Sequence, residues 1–315
     1  MTPVLTITLN PAVDLDTSAA EIRPGPKLRC STPRLDPGGG GINVTRALAE
    51  LGGESLALVA AGGGMGMVLA KLLAGTGLPV RIIEAPGETR QSVAVMESGT
   101  GKQYRFIFPG PHWTESDIAK AEAEIAEVIP KGGLVVLSGS HPPGFPDDFP
   151  ARLVALCRTL EARLLLDTSG AALRALQAGR IAGLEVLRLD HEEAEDLAGR
   201  ALPTAKDSAG FAQSLARNGV ARVVVLARGA EGSILATDTD RWLSRAAKVP
   251  VRSKTGAGDS FVAGFTLGLS RGEPLPECLQ RGMAAASAAV MTEATRLCER
   301  SDAERLMADC PVEVI

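Results

Sequence analysis

Short apolar runs recur along this chain at residues 4–9, 56–61, 134–137, 164–166, 184–189 and 223–226, with helical patterns such as 118–128 and 211–216 between them. Such runs suit buried strands and are too short for buried helices of ordinary length. Strand, helix, strand in repetition predicts parallel pairing, with helices on both faces of one sheet. The expected class is α/β, with a Rossmann-like, mostly parallel sheet. Two stretches break the pattern. Residues 22–35 mix charged and apolar residues with three prolines and read as irregular edge strands. Residues 92–96 and 103–108, joined by Ser98-Gly99-Thr100-Gly101, read as a β-hairpin. These pieces, taken as 21–36 and 88–109, predict a small β-sheet lid. Residues 1–20, 37–87 and 110–315 are then the core.

Composition excludes several functions. Aromatic residues make up only 3% of the 315-residue chain and the net charge is −4, so neither base stacking nor a basic field favours nucleic acid. No apolar run reaches the roughly 18 residues of a membrane span. The five cysteines are scattered, odd in number and form no C-x-x-C, which suits a reducing compartment; the cytoplasm is expected. The three histidines fall in no metal-ligand spacing. His141, in a Ser-Gly-Ser-His-Pro-Pro-Gly loop, reads as structural.

The chemistry concentrates at Lys254-Thr255-Gly256-Ala257-Gly258-Asp259-Ser260, which opens an apolar helical run. Small residues before a helix leave its first N–H groups bare, with the positive end of the dipole behind them, so Gly256, Ala257 and Gly258 predict an anion cradle. Asp259 inside that cradle would repel a resting phosphate. It makes sense as a base that takes a proton from a hydroxyl while the N–H groups hold developing charge. An ordinary helix start with an acidic first turn fits the same letters.

Other loops carry weaker signals. Gly38-Gly39-Gly40-Gly41 opens a helix, but Asn43 breaks G-x-G-x-x-G and no G-x-x-x-x-G-K-[ST] exists, so neither a dinucleotide fingerprint nor a Walker loop is present. Asn43 offers donors and acceptors for hydroxyls. Asp14, placed after the first strand, can accept two sugar hydroxyls or cap a turn. Lys27, Arg29, Arg90 and Arg105 fall in the lid pieces, where they suit either phosphate contact or solvated edge charge. Asp190 and Glu193, three apart, fit Mg²⁺ through water and phosphate, and equally a helix capping box.

Together these blocks resemble the ribokinase-like, or phosphofructokinase B, family of sugar kinases. The matching residues are Thr8-Leu9-Asn10-Pro11-Ala12-Val13-Asp14, Gly38-Gly39-Gly40-Gly41-Ile42-Asn43-Val44, Ser138-Gly139-Ser140 and Gly256-Ala257-Gly258-Asp259, in family order over nearly the whole chain. Lys27-Leu28-Arg29-Cys30, Gln103-Tyr104-Arg105-Phe106 and Thr295-Arg296-Leu297-Cys298 point to the family's type 2 6-phosphofructokinase branch. The resemblance implies ATP-dependent phosphorylation of fructose 6-phosphate, with tagatose 6-phosphate or fructose 1-phosphate as the nearer alternatives and a catalytically silent binding protein as the more distant one. It implies Asp259 as base and residues 256–258 as anion hole. Asp14, Lys27, Gly39, Gly40, Asn43, Arg90, Arg105 and Ser140 would hold the sugar phosphate. Arg188, Gly229, Gly232 and Ser287 would hold the nucleotide, and Asp190 and Glu193 the Mg²⁺. It also implies homodimers joined through the lids, for which the hairpin's apolar residues Val93, Val95, Tyr104, Phe106 and Phe108 are suited. One block departs. Arg188-Leu189-Asp190-His191-Glu192-Glu193 stands where the family usually shows Lys-Pro-Asn-x-x-Glu, which adds a negative charge beside the expected nucleotide.

Overall fold

The computed structural model describes every residue except Ala294 and Thr295, with Ala171 described by its backbone alone. Thr295, quoted above for the family resemblance, therefore lies outside the described residues. The strands are β1 (Val4–Thr8), β2 (Ala12–Ala19), β3 (Arg34–Gly38), β4 (Leu56–Ala61), β5 (Val80–Glu84), β6 (Arg90–Glu97), β7 (Lys102–Ile107), β8 (Leu134–Ser138), β9 (Arg163–Asp167), β10 (Leu184–Leu189), β11 (Ala221–Ala227), β12 (Ser233–Ala236), β13 (Arg241–Ser244) and β14 (Val312–Val314). The helices are α1 (Gly40–Glu50), α2 (Gly63–Ala74), α3 (Glu115–Val128), α4 (Phe149–Thr159), α5 (Ala171–Gln177), α6 (His191–Ala198), α7 (Ala205–Arg217), α8 (Ala257–Arg271), α9 (Leu275–Ala289) and α10 (Arg300–Leu306).

The large sheet runs β14-β13-β12-β11-β10-β9-β8-β1-β4-β5. Pairing is parallel from β5 through to β11, and the last three strands add antiparallel. Central strands are buried on both sides: every residue of β1 and of β8 is buried. Alternate strand residues feed two cores. One lies under α3 to α7 and holds Leu5, Ile7, Leu137, Leu166 and Val224; the other lies under α1, α8, α9 and α10 and holds Val136, Leu165, Val186 and Val225. The expected two-faced parallel sheet is present. Its strand order reverses between β1 and β8, the place where an open α/β sheet leaves a crevice at its carboxyl edge.

The second sheet has four strands in the order β3-β2-β6-β7. The hairpin is present as β6 and β7, with Val93 opposite Phe106 and Val95 opposite Tyr104. Two expectations need correction. Residues 12–19, read as core, form β2 at the centre of the small sheet, because the chain leaves the large sheet at Asn10-Pro11 and pairs with β3 and β6. Residues 22–33 contribute only a bridge between Ala19 and Cys30, and the regular edge strand is β3. Alternation gives this sheet two faces of different character. Asp14, Arg34, Asp36, Arg90, Ser92 and Arg105 share one face; Leu15, Leu35, Val93, Val95, Tyr104 and Phe106 share the other.

Candidate active site

The carboxyl ends of β1, β8, β9, β10 and β11 meet the amino ends of α1 and α8, and the polar face of the small sheet lies nearby. α8 starts as its sequence requires. Gly256 takes φ 80° at the cap, a left-handed turn that glycine adopts without strain, and the helix begins at Ala257. The first-turn N–H groups that follow have no intrahelical acceptor. Asp259 sits in that turn. Its Oδ2 accepts from Asn43 Nδ2 at 2.9 Å, so the first turn of α1 positions the carboxylate of α8. Burial, followed by the charge of Asp167, pushes Asp259 up to about 7, close to the value a general base needs at neutral pH.

The glycine run lets α1 reach this position. A Cβ on Gly40 would strike Ser138 Oγ and the Gly139 N–H, and one on Gly38 would strike the Asp14 carboxylate. Gly39 takes φ 129° against Thr8. Ser140 Oγ accepts from the Asn10 amide at 3.2 Å across the passage between the two sheets. Arg90 Nε donates to the Asn10 carbonyl at 3.1 Å. Asp14 is raised from the ordinary carboxylate value by burial, against the opposing pull of Arg90 and Arg105. Its charge also acts on Asp259. Asp14, with Arg90 and Arg105 acting on it, is thus brought near Asp259. Lys27 is not: it is exposed between β2 and β3, and no contact joins it to these groups among the described residues.

On the other side of Asp259 stands Arg188. Its Nη1 donates to Asp167 Oδ1 at 3.0 Å, and its side chain is only 16% exposed. Nη2 lies 3.2 Å from where a Cβ on Gly258 would be, so the guanidinium packs directly against the glycine turn. Its Nε is buried with no partner, a donor left for a ligand. Asp167 was not singled out in the sequence. It ends β9 and also accepts from Ser138 Oγ at 3.0 Å, so it links three neighbouring strand ends. A carboxylate closing a core strand, in Leu-Leu-Leu-Asp-Thr, was the available signal.

Asp190 and Glu193 form a capping box at α6: Asp190 Oδ1 accepts from the Glu193 N–H at 2.9 Å and Glu193 Oε2 from the Asp190 N–H at 2.8 Å. Each keeps one carboxylate oxygen outside the box. Burial above all pushes Glu193 up to about 7. No group of three or more His, Cys, Asp or Glu forms a metal cage among the described residues. Gly229 and Gly232 bracket a short turn after β11, with φ 59° and 116°. Ser287 is different. It is buried, and its hydroxyl accepts from the Ala247 N–H at 3.2 Å. His141 is held among Phe145 and Phe149, and burial lowers it to about 4, in line with a structural role.

The family model described as pfkB family carbohydrate kinase matches residues 3–302. The ATP-dependent 6-phosphofructokinase isozyme 2 of Mycobacterium tuberculosis is 40% identical over 313 residues, covering 99% of this chain and 91% of that protein. The protein of the same name from Escherichia coli K12 is 37% identical over 310 residues, covering 98% and 99%. The crystal structure of the Escherichia coli phosphofructokinase-2 with fructose-6-phosphate superposes with a TM-score of 0.89 at 36% identity, over 98% of this chain and 99% of that one. With the model spanning nearly the full length and the site assembled where the family's sequence blocks fall, the chain belongs to the pfkB family of carbohydrate kinases.

Proposed function

We propose that this kinase transfers the terminal phosphoryl group of ATP to fructose 6-phosphate, giving fructose 1,6-bisphosphate. The observation that carries the reading is Asp259, poised near neutrality in the first turn of α8 and held by Asn43, with Asp14, Arg90 and Arg105 facing it from the lid. Asp14 and Asn43 bind sugar hydroxyls. Arg90 and Arg105, with Lys27 if the segment between β2 and β3 folds inward, bind the phosphate already on the sugar. Asp259 takes the proton of the attacking hydroxyl. The N–H groups of the cradle at residues 256–258 and the Arg188 guanidinium stabilise the phosphoryl group in transfer, so catalysis is mostly positioning and charge. Gly229 and Gly232 keep the turn after β11 open to the nucleotide.

Mg²⁺ fits the donor set. Such sites use one or two carboxylates together with phosphate oxygens and waters, and Asp190 and Glu193 each have an oxygen outside the capping box. When bound, the ion neutralises charge on the nucleotide phosphates. The apolar face of the lid, with Leu35, Phe106 and Phe108 exposed, supports a homodimer joined lid to lid. The free cysteines support a cytoplasmic setting.

A second reading is fructose 1-phosphate as acceptor, since the 1-phosphofructokinase of Bacillus subtilis is 31% identical over 290 residues. A panel of fructose 6-phosphate, fructose 1-phosphate and tagatose 6-phosphate, assayed by ADP release, separates them. The highest kcat/KM is expected for fructose 6-phosphate. A preference for fructose 1-phosphate would establish the second reading, and no turnover of any would leave a silent binding protein.

A further inference from the structure

One cavity lies away from this chemistry. It holds about 540 Å³ at the amino ends of β9, β10 and β11, whereas the catalytic groups occupy their carboxyl ends. The hollow opens between α4 and α7. Its floor is apolar, made of residues such as Val154, Leu164, Leu184 and Ala221.

Its wall is basic. Arg158, Arg163, Arg217 and Arg222 converge from four different elements, against two carboxylates, Glu185 and Asp238. Glu185 side-chain exposure is only 9%, and it acts as a brace: Arg222 donates to both its oxygens at 3.0 and 2.7 Å, and Arg163 donates at 3.1 Å. One carboxylate thus holds two guanidinium groups in place. Arg217 Nε donates to the Asp238 carbonyl at 2.8 Å, which fixes the side chain without neutralising it. Arg158 Nη2 lies where a Cβ on Gly183 would be, so the lack of a side chain there admits it. The helix ends that Arg158 and Arg217 occupy account for one cation each. They do not account for four arginines around one apolar hollow in a chain of net charge −4.

We propose that this hollow is a second ligand site, for a small organic phosphate whose flat or apolar body rests on the floor while its phosphate meets Arg158 and Arg217. The volume lies in the range of small-molecule sites, and paired guanidinium groups suit a dianion. β9 and β10 run from the hollow, at Arg163 and Glu185, to Asp167 and Arg188 toward their other ends, roughly 10 to 13 Å away.

The test is calorimetric titration of AMP, and separately of inorganic phosphate, into the full-length protein with the catalytic site filled by sugar phosphate and a non-hydrolysable ATP analogue. One additional AMP site per chain is expected, at least about tenfold tighter than inorganic phosphate and weakened by salt. The double substitution Arg158→Ser, Arg217→Ser should weaken it at least about tenfold. Its melting temperature and its kcat without AMP should match wild type. No additional AMP binding, equal affinity for AMP and inorganic phosphate, or full affinity in the double variant would overturn the proposal. Repeating the titration without sugar phosphate and analogue separates this result from the identity of the substrates, since the double substitution removes only the hollow's share of the binding.

Discussion

At the scale of single residues, the proposed chemistry concentrates on Asp259. Asp259→Asn should lower kcat at least about 10²-fold while leaving sugar-phosphate binding nearly unchanged. Turnover near wild type would remove it as the base. For the wild type, kcat/KM should fall on the acid side with an apparent pKa near 7, because protonation disables the carboxylate. Glu193 titrates in the same range, so the limb should persist in Glu193→Gln if Asp259 is its source. The same pKa has a consequence for stability. The native state holds a proton on Asp259 that the unfolded chain releases near pH 4, so the stability it contributes is complete below that value and lost as the pH rises through about 7. Asp259→Asn cannot ionise. Its melting temperature should exceed that of wild type above pH 7, and the gap should close toward pH 5. Arg90 is the complementary case: Arg90→Ala should raise KM for fructose 6-phosphate about 10- to 100-fold and leave KM for ATP within about twofold. Equal effects on both would place Arg90 outside the sugar site.

At the scale of elements, the site depends on two helix starts brought close to strand ends. Gly40 shows how little room this leaves. Gly40→Ala would drive a methyl group into Ser138 and Gly139 and should cost about 2 kcal/mol, read by denaturant unfolding, with a parallel loss of kcat as α1 shifts Asn43 from Asp259. Unchanged stability would show that α1 moves freely at this end. The strands and the α8 cradle were legible because apolar period and small residues act locally. The membership of β2 was not, since Asn10-Pro11 marks a break in the strand without saying which sheet the chain joins next. Asp190 and Glu193 satisfied two readings at once, and the structure shows the capping box while their spare oxygens keep the metal reading open. Asp167 escaped notice because its importance comes from β8 and β10 standing beside β9, a tertiary fact. Ser287 was placed at the nucleotide through family resemblance alone, and in the structure its hydroxyl accepts from the Ala247 N–H.

For the whole molecule, the prediction concerns assembly. Phe106 and Leu35 lie on the side of the lid opposite Asp14, exposed by 50% and 37%. Light scattering at micromolar concentration should give a dimer mass. Phe106→Asp should give a monomer whose core remains folded by circular dichroism. A monomeric wild type would leave the apolar face without the partner proposed for it.

The two-sided lid also determines which kinds of genetic change the chain can absorb. Along β2, neighbouring residues Asp14 and Leu15 face opposite ways, one toward the proposed sugar site and one toward the surface proposed for assembly. Substituting either residue disturbs one side only. Inserting or deleting one residue within the strand exchanges the sides, burying leucine over the substrate and presenting carboxylate to the other subunit. Sequence drift on these strands should therefore be tolerated letter by letter, and any change of length confined to their turns.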